Sequence, residues 1–282
     1  MSLPFIHIVA GATASGKSAL AIQLAHDLGG VIINADSQQV YRDLPLLTAR
    51  PSAADEASIP HRLYGFLGGD EPFSAGKWLR FAQMEIDWAR SQDMTPIVVG
   101  GTGLYLKALM QGIAEIPAID EAVRLQSEQD YDAMGREAFS ERLRAVDPAF
   151  FTRLKVYDKQ RLIRAYSVWL GTGKALSFWQ QQPVCPPYPT EQIRVHRVEL
   201  PRAELYARCN IRFRMMVEAG AIDELHALHP LPSGSSLWKI IGVNELSDYI
   251  TNKISLDTAI SRAQQATRNY AKRQLTWFRN QL

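Results

Sequence analysis

Cysteine is scarce in this 282-residue chain: Cys185 and Cys209 are the only two, and neither belongs to a CxxC or other metal-ligand spacing. That excludes a disulfide scaffold and a cysteine-rich zinc site and suits a reducing cytoplasm. No apolar run approaches the ~18–20 residues that cross a bilayer, so no membrane partner is expected. The opening MSLPFIHIVA lacks the basic-then-apolar pattern of a signal peptide, and a cytoplasmic location is expected. Internal repeats and low-complexity tracts are also missing, which excludes solenoids and linker-like chains. What remains is ordinary for a soluble globular protein, 46% hydrophobic and 21% charged, enough for one large domain or two coupled ones.

Acid is missing in particular places. Residues 1–115 carry 8 Lys/Arg against 11 Asp/Glu, whereas 116–282 carry 23 against 18, so a net charge of +2 hides a change of sign. Within 150–214 there are 12 basic residues and 4 acidic ones, and residues 262–282 hold five basic residues and no acid. A polyanion-binding face would leave this asymmetry; so would a set of solvated helix faces.

FIHIVAG is a short continuous apolar run, as in a strand buried on both faces, and it leads into GATASGKS and the helical pattern SALAIQLAHDL, closed by Gly29 and Gly30. VIINADS, the weaker RLYGF (62–66) and TPIVVGGTG read as further strands, with a helix over 74–90 between the last two. Alternating strands and helices predict an α/β fold with a parallel sheet, whose ligands gather at the carboxyl ends of the strands. After Gly112 the period is helical to about Gln182, so residues 116–192 are expected to form an inserted all-helical domain between the core segments 1–115 and 193–282. PVCPPYP reads as a linker, and IRVHRVEL alternates at period two as a last strand would. A long terminal helix starts near Leu256.

Gly11, Ala12, Thr13, Ala14, Ser15, Gly16, Lys17 and Ser18 satisfy G-x-x-x-x-G-K-[ST], placed after a buried strand and opening a helix. In this setting the loop N–H groups and the helix dipole face phosphate oxygens, Lys17 supplies a full charge, and Ser18 offers a hydroxyl to Mg²⁺. The pattern is the nucleotide-binding, ATP-binding P-loop, but the chain lacks a strand ending in a Walker-type Asp, an NKxD guanine reader and an arginine-rich lid. Something with at least a diphosphate binds here.

Asp36 falls at the end of the second strand, on the same rim. An acid there can help hold Mg²⁺, accept a proton from a nucleophile, or simply cap a following helix. Ser37, Gln38 and Gln39 beside it suit a base edge, and Thr102 is similarly placed after the fourth strand.

GATASGKS, DSQQVYRDLPLLTARP, PIVVGGTGLYLKALMQG, DKQRLIRAYSVWLGTGK and TRNYAKRQLTWFR together resemble the tRNA dimethylallyltransferases, also called tRNA isopentenyltransferases, over about residues 5–280. The resemblance implies a P-loop NTPase-like core whose loop takes the diphosphate of dimethylallyl diphosphate. The prenyl group would pass to N6 of the adenosine at tRNA position 37, beside the anticodon. It further implies Asp36 as the base, Thr102 near the reacting centre, and Arg212 with Lys17 and Mg²⁺ on the diphosphate. The tRNA anticodon stem-loop would meet Asp36, Ser37, Gln38, Gln39, Thr102, Gln160, Arg161, Leu162, Ile163, Arg164, Lys272 and Arg273, with Gln274 completing an AKRQ pattern. A monomer is expected.

Two motifs depart from the family. LPLLTARP has Leu46 and Leu47 where Ile-Gly is usual, and Arg50 for lysine; IGVNE has Val243 and Asn244 for an aromatic and a base. These imply altered rate or tRNA preference with the same reaction. Trp277 and Phe278 read as packing residues. The readings in contention are prenyl transfer to tRNA, a small-metabolite P-loop kinase, and a non-catalytic RNA-binding protein.

Overall fold

The structure is a computed structural model that describes residues 4–153 and 158–282. The basic stretch 150–214 therefore crosses residues 154–157, which lie outside the described residues, as do the first three of the opening segment. Ile6–Gly11 (β1), Gly30–Asn34 (β2), His61–Arg62 (β3), Thr95–Gly100 (β4) and Ile193–Val198 (β5) form one sheet in the order β3-β2-β4-β1-β5. Every pairing is parallel. The central strands are continuous apolar runs because both faces are covered: Ile8, Val9, Ile32, Ile33, Ile97 and Val98 have essentially no exposure. At the edge, β5 pairs Ile6 to Ile193 and Val9 to His196, and its outward residues stay wet, hence its alternating sequence.

Helix Lys17–Leu28 covers this sheet with Ala21 and Ala25 against Val9, Ile32 and Ile97, and it stops at Gly29, whose φ of 59° ends the helix. Helix Ala75–Ser91 opens on Ser74, whose hydroxyl accepts from Lys77 N. RLYGF does not form the expected strand beyond Arg62. Leu63 turns to a φ of 62°, and its carbonyl accepts from Asn34 Nδ2 at 3.0 Å instead of continuing the ladder.

The chain divides into Met1–Gln111 with Pro186–Leu282, and Gly112–Cys185. Residues 186–192 pack with the first unit, where Tyr188 donates its hydroxyl to Asp87 at 3.0 Å. The second unit is helical: Glu121–Val146, broken at Gly135, then Pro148–Arg153, Lys159–Thr172 and Leu176–Gln180. Phe139, Leu143, Leu162, Tyr166 and Val168 fill its core, and Asp147, nearly inaccessible, accepts from Ser177 N and Phe150 N. In the first unit a further cluster joins Val40, Leu44 and Leu47 to Phe213, Ile240, Val243 and Leu246. Among the described residues no helix is long and apolar enough to cross a membrane.

Candidate active site

After β1 the chain tightens into a loop: Ser15 N donates to Ala12 O at 3.2 Å, Ala14 takes a φ of 63° and Gly16 one of 93°. A Cβ on Gly11 would stand 2.6 Å from Ser15 Oγ and 3.1 Å from Val198 O, so any side chain there would crowd the loop. Among the described residues no side chain caps the helix that begins at Lys17, so its first N–H groups and positive dipole end stay available to an anion. Ser15 Oγ is buried without a partner among the described residues, a donor that a phosphate oxygen would satisfy.

Two cations serve this loop. Helix Arg202–Glu218 sends Arg212 to hydrogen-bond Thr13 Oγ1, while Cys209 Sγ lies 3.9 Å from Thr13 O. Burial pushes the Lys17 ammonium down to about 8, with Asp36 pulling upward and Arg212 pressing further down. Burial likewise lowers Arg212. Asp36 offsets part of this pair's charge, and a polyanion would neutralise the rest.

Asp36 is fixed by its neighbour. Its N donates to Asn34 Oδ1 at 2.8 Å and its carbonyl accepts from Asn34 Nδ2 at 3.0 Å, while Trp78 Nε1 holds Asn34 O at 2.8 Å. Asp36 Oδ1 accepts from Gln38 N at 2.9 Å, leaving Oδ2 uncommitted among the described residues. The helix-capping reading of Asp36 gives way to this turn, because no helix follows before Ala53. Thr102 Oγ1 accepts from Ser37 N at 2.9 Å and ties the two strand ends together.

The glycines after β4 exist for close approach. A Cβ on Gly100 would lie 2.1 Å from Ala35 O, one on Gly101 2.2 Å from Gln274 Nε2, and one on Gly103 2.3 Å from the Trp277 ring. Helix Leu256–Gln281 can therefore lie on this loop. Gln274 becomes a clasp: its Oε1 accepts from Thr13 N at 2.8 Å and its Nε2 donates to Gly101 O at 2.9 Å. Half-buried Tyr270 beside it, its phenol raised well above the ordinary range by desolvation, stays a donor near Thr102 and Gln274.

Thr13, Lys17, Asp36, Gln38 and Gln39 line one pocket with Arg212 and Tyr270, and Leu47, Phe213, Met216 and Ile241 also line it. A second hollow, bounded by Ala14, Ser15, Gly16, Ser18 and Arg208, shares Lys17 and Arg212 with it. The sequence-expected Gly11–Ser18 loop, Asp36, Gln38, Thr102 and Arg212 thus converge at the strand ends. Ser37 is spent on Thr102, and Gln39 Nε2 on Thr48 O and Ala49 O at 3.1 and 2.6 Å. Lys272 and Arg273 are exposed, whereas Gln274 faces inward.

In the helical unit Gln160, Arg161 and Arg164 line a separate hollow with Phe150 and Gln180. Leu162 and Ile163 are 0 and 4% exposed, so their part is to hold the helix while its polar face meets any ligand. Leu47 and Val243, one from each departing motif, share one apolar cluster, and Asn244 Nδ2 donates to Trp238 O at 2.9 Å. Phe278 is buried and Trp277 packs on Gly103, as expected of core aromatics. Asn34, Tyr270 and the clasp role of Gln274 were not anticipated; the only sequence signal was a polar residue within a buried strand or helix face.

The geometry is matched by resemblance along the whole chain. The family model described as IPP transferase matches residues 39–281, and that described as isopentenyl transferase matches 4–67. The chain is 46% identical to the tRNA dimethylallyltransferase of Rhodospirillum centenum over 277 residues, covering 98% of this chain and 88% of that one. It is 45% identical to the tRNA dimethylallyltransferase of a Caulobacter species, covering 98% and 90%. Among solved structures, the tRNA delta(2)-isopentenylpyrophosphate transferase of Staphylococcus epidermidis superposes with a TM-score of 0.68 at 31% identity over 99% of this chain and 91% of that one. A eukaryotic dimethylallyltransferase acting on tRNA gives 0.82 at 27% identity over 97% and 69%.

Proposed function

The chain belongs to the IPP transferase family, and from that premise we infer that it transfers the dimethylallyl group of dimethylallyl diphosphate to N6 of the adenosine at tRNA position 37, releasing diphosphate. One observation carries the chemistry: Lys17, Arg212, Thr13 and Asp36 line a single pocket. An exocyclic adenine amine has its lone pair delocalised into the ring and attacks poorly without a base. As N6 bonds to C1, the C1–O electron pair leaves with diphosphate and the N6 proton passes to the Asp36 carboxylate. Lys17, Arg212 and the loop N–H groups neutralise the charge that develops on the departing oxygens. The kinase and simple RNA-binding alternatives are set aside, because the relatives matched over nearly the whole chain are tRNA dimethylallyltransferases.

Ser18 and diphosphate oxygens would hold Mg²⁺, and they suit it, since Mg²⁺ keeps several waters and asks few protein ligands. The orphaned Ser15 Oγ in the same loop fits an oxyanion-filled cradle. When bound, the ion supplies further charge neutralisation on the leaving group. We read the enzyme as a cytoplasmic monomer. The test is mass analysis of nucleosides from tRNA incubated with the protein and dimethylallyl diphosphate, where an adenosine heavier by one dimethylallyl group is expected and unmodified tRNA sinks the reading.

The anticodon stem-loop is met through phosphate contacts from Gln160, Arg161 and Arg164 on the helical unit and from Lys272 and Arg273 on the terminal helix, with the target base unstacked for reading. The double change Arg161→Glu, Arg164→Glu should weaken tRNA binding. Its plot of log affinity against log salt should flatten by roughly 0.7–0.9 for each phosphate no longer neutralised. An unchanged slope in filter-binding titrations would exclude these two side chains from the interface.

A further inference from the structure

The pocket that joins Lys17 to Asp36 has a mixed lining: Thr13, Lys17, Arg212 and Asp36 are polar, and Leu47, Phe213, Met216 and Ile241 are apolar. A donor whose diphosphate sits on Lys17 and Arg212, and whose C1 faces the nucleophile served by Asp36, finds in Leu47, Phe213, Met216 and Ile241 an apolar part of the same lining against which to lay its hydrocarbon.

That wall is rigid at Leu47. The carboxylate of Glu224 accepts from Leu46 N and Leu47 N at 2.8 and 3.0 Å. On the far side of the turn Gln39 Nε2 donates to Thr48 O and Ala49 O, and Thr48 Oγ1 donates to Leu44 O at 2.7 Å. Behind it stands backbone: a Cβ on Gly242, itself at a φ of 97°, would lie 3.0 Å from Leu47 Cδ1 and 2.9 Å from Phe213 Cε2. Leu47 and Phe213 thus rest on Gly242 and have nowhere to recede. Met216, half-buried, completes the wall from helix Arg202–Glu218.

Resting on the prenyl-transfer reading, we propose that Leu47, backed by Gly242 and flanked by Met216, is the stop that limits the donor to a single five-carbon isoprenoid chain. A ten-carbon chain bound through the same diphosphate would run its second isoprene unit into the Leu47 side chain. Apolar pockets discriminate about 10–200-fold per methylene, so five further carbons against a fixed wall give strong exclusion.

The test compares dimethylallyl and geranyl diphosphate as donors with tRNA, reading kcat/KM for each from the masses of the nucleosides formed. Wild-type protein should favour the five-carbon donor by at least ~100-fold. Leu47→Ala should raise the geranyl-to-dimethylallyl ratio by at least ~10-fold, and Met216→Ala, which removes a less buried side chain, should move it the same way. Protection of each variant by inorganic pyrophosphate in a melting experiment shows that the cradle is intact. A ratio within twofold of wild type in either variant so protected overturns the stop, as does wild-type protein that uses both donors equally. If Leu47→Ala does not fold, Met216→Ala decides. Wild-type protein that transfers neither chain would instead overturn the prenyl-transfer reading itself.

Discussion

Asp36→Asn should lower the rate of prenyl transfer by about 10²–10⁴-fold, the range contributed by a positioned general base, while the KM values for tRNA and donor stay within a few-fold of wild type. Asparagine is the informative replacement. It keeps an Oδ1 able to accept from Gln38 N, and the backbone links between residue 36 and Asn34 do not depend on the carboxylate. The turn therefore survives, and what disappears is the capacity to take a proton. Alanine would remove the Gln38 acceptor as well and mix a local rearrangement with the chemical loss. Single-turnover rates with both substrates saturating separate these effects, and a rate for Asp36→Asn within threefold of wild type would remove this carboxylate from the proton transfer.

Lys17→Ala should cost about 10²–10³-fold in kcat/KM for the donor, the scale seen when one group stabilising a developing oxyanion is lost. This side chain also sets a pH dependence whose sign is fixed. With its ammonium held near 8 in the free protein, Lys17 is charged below that value, and a bound diphosphate favours the charged form. Donor affinity should be flat in the acid direction and fall as pH rises through about 8. The stability of the free protein should move the opposite way. An unfolded lysine titrates near 10.5, so between about 8 and 10.5 the unfolded chain binds more protons, and this group's contribution to stability rises with pH. Melting curves with and without inorganic pyrophosphate across this window show both trends. Pyrophosphate protection in Lys17→Ala that kept the wild-type pH profile would assign the dependence to another group.

The parts of this site legible in the sequence are those whose chemistry is local. The loop Gly11–Ser18 announces itself because a strand, two glycines, a lysine and a hydroxyl must stand at fixed spacing to surround a phosphate. β1, β2 and β4 were legible because doubly covered strands are continuously apolar. RLYGF misled because its apolar residues belong to a turn: the left-handed backbone of Leu63 satisfies Asn34, a contact decided 29 positions away. Asp36 followed by polar residues resembles a helix start as much as a turn, and only Asn34 and Thr102 settle the matter. Gln274 carries no local signal of its task. In sequence it is one polar residue in a basic helix, and its two hydrogen bonds join loops 261 and 173 positions away. The GGTG glycines were visible as a motif, but the reason for them, room for Gln274 and Trp277, exists only in three dimensions.

The clasp from Gln274 to Thr13 N has a consequence in time. The ribosome makes Thr13 early and must add 261 further residues before its hydrogen-bond acceptor exists, roughly 13–50 s at about 5–20 residues per second. Through that interval the nascent chain displays a glycine-rich loop that lacks this clasp. Competence to grip a donor therefore arrives only once helix Leu256–Gln281 has been made, rather than with the segment that carries the recognisable motif.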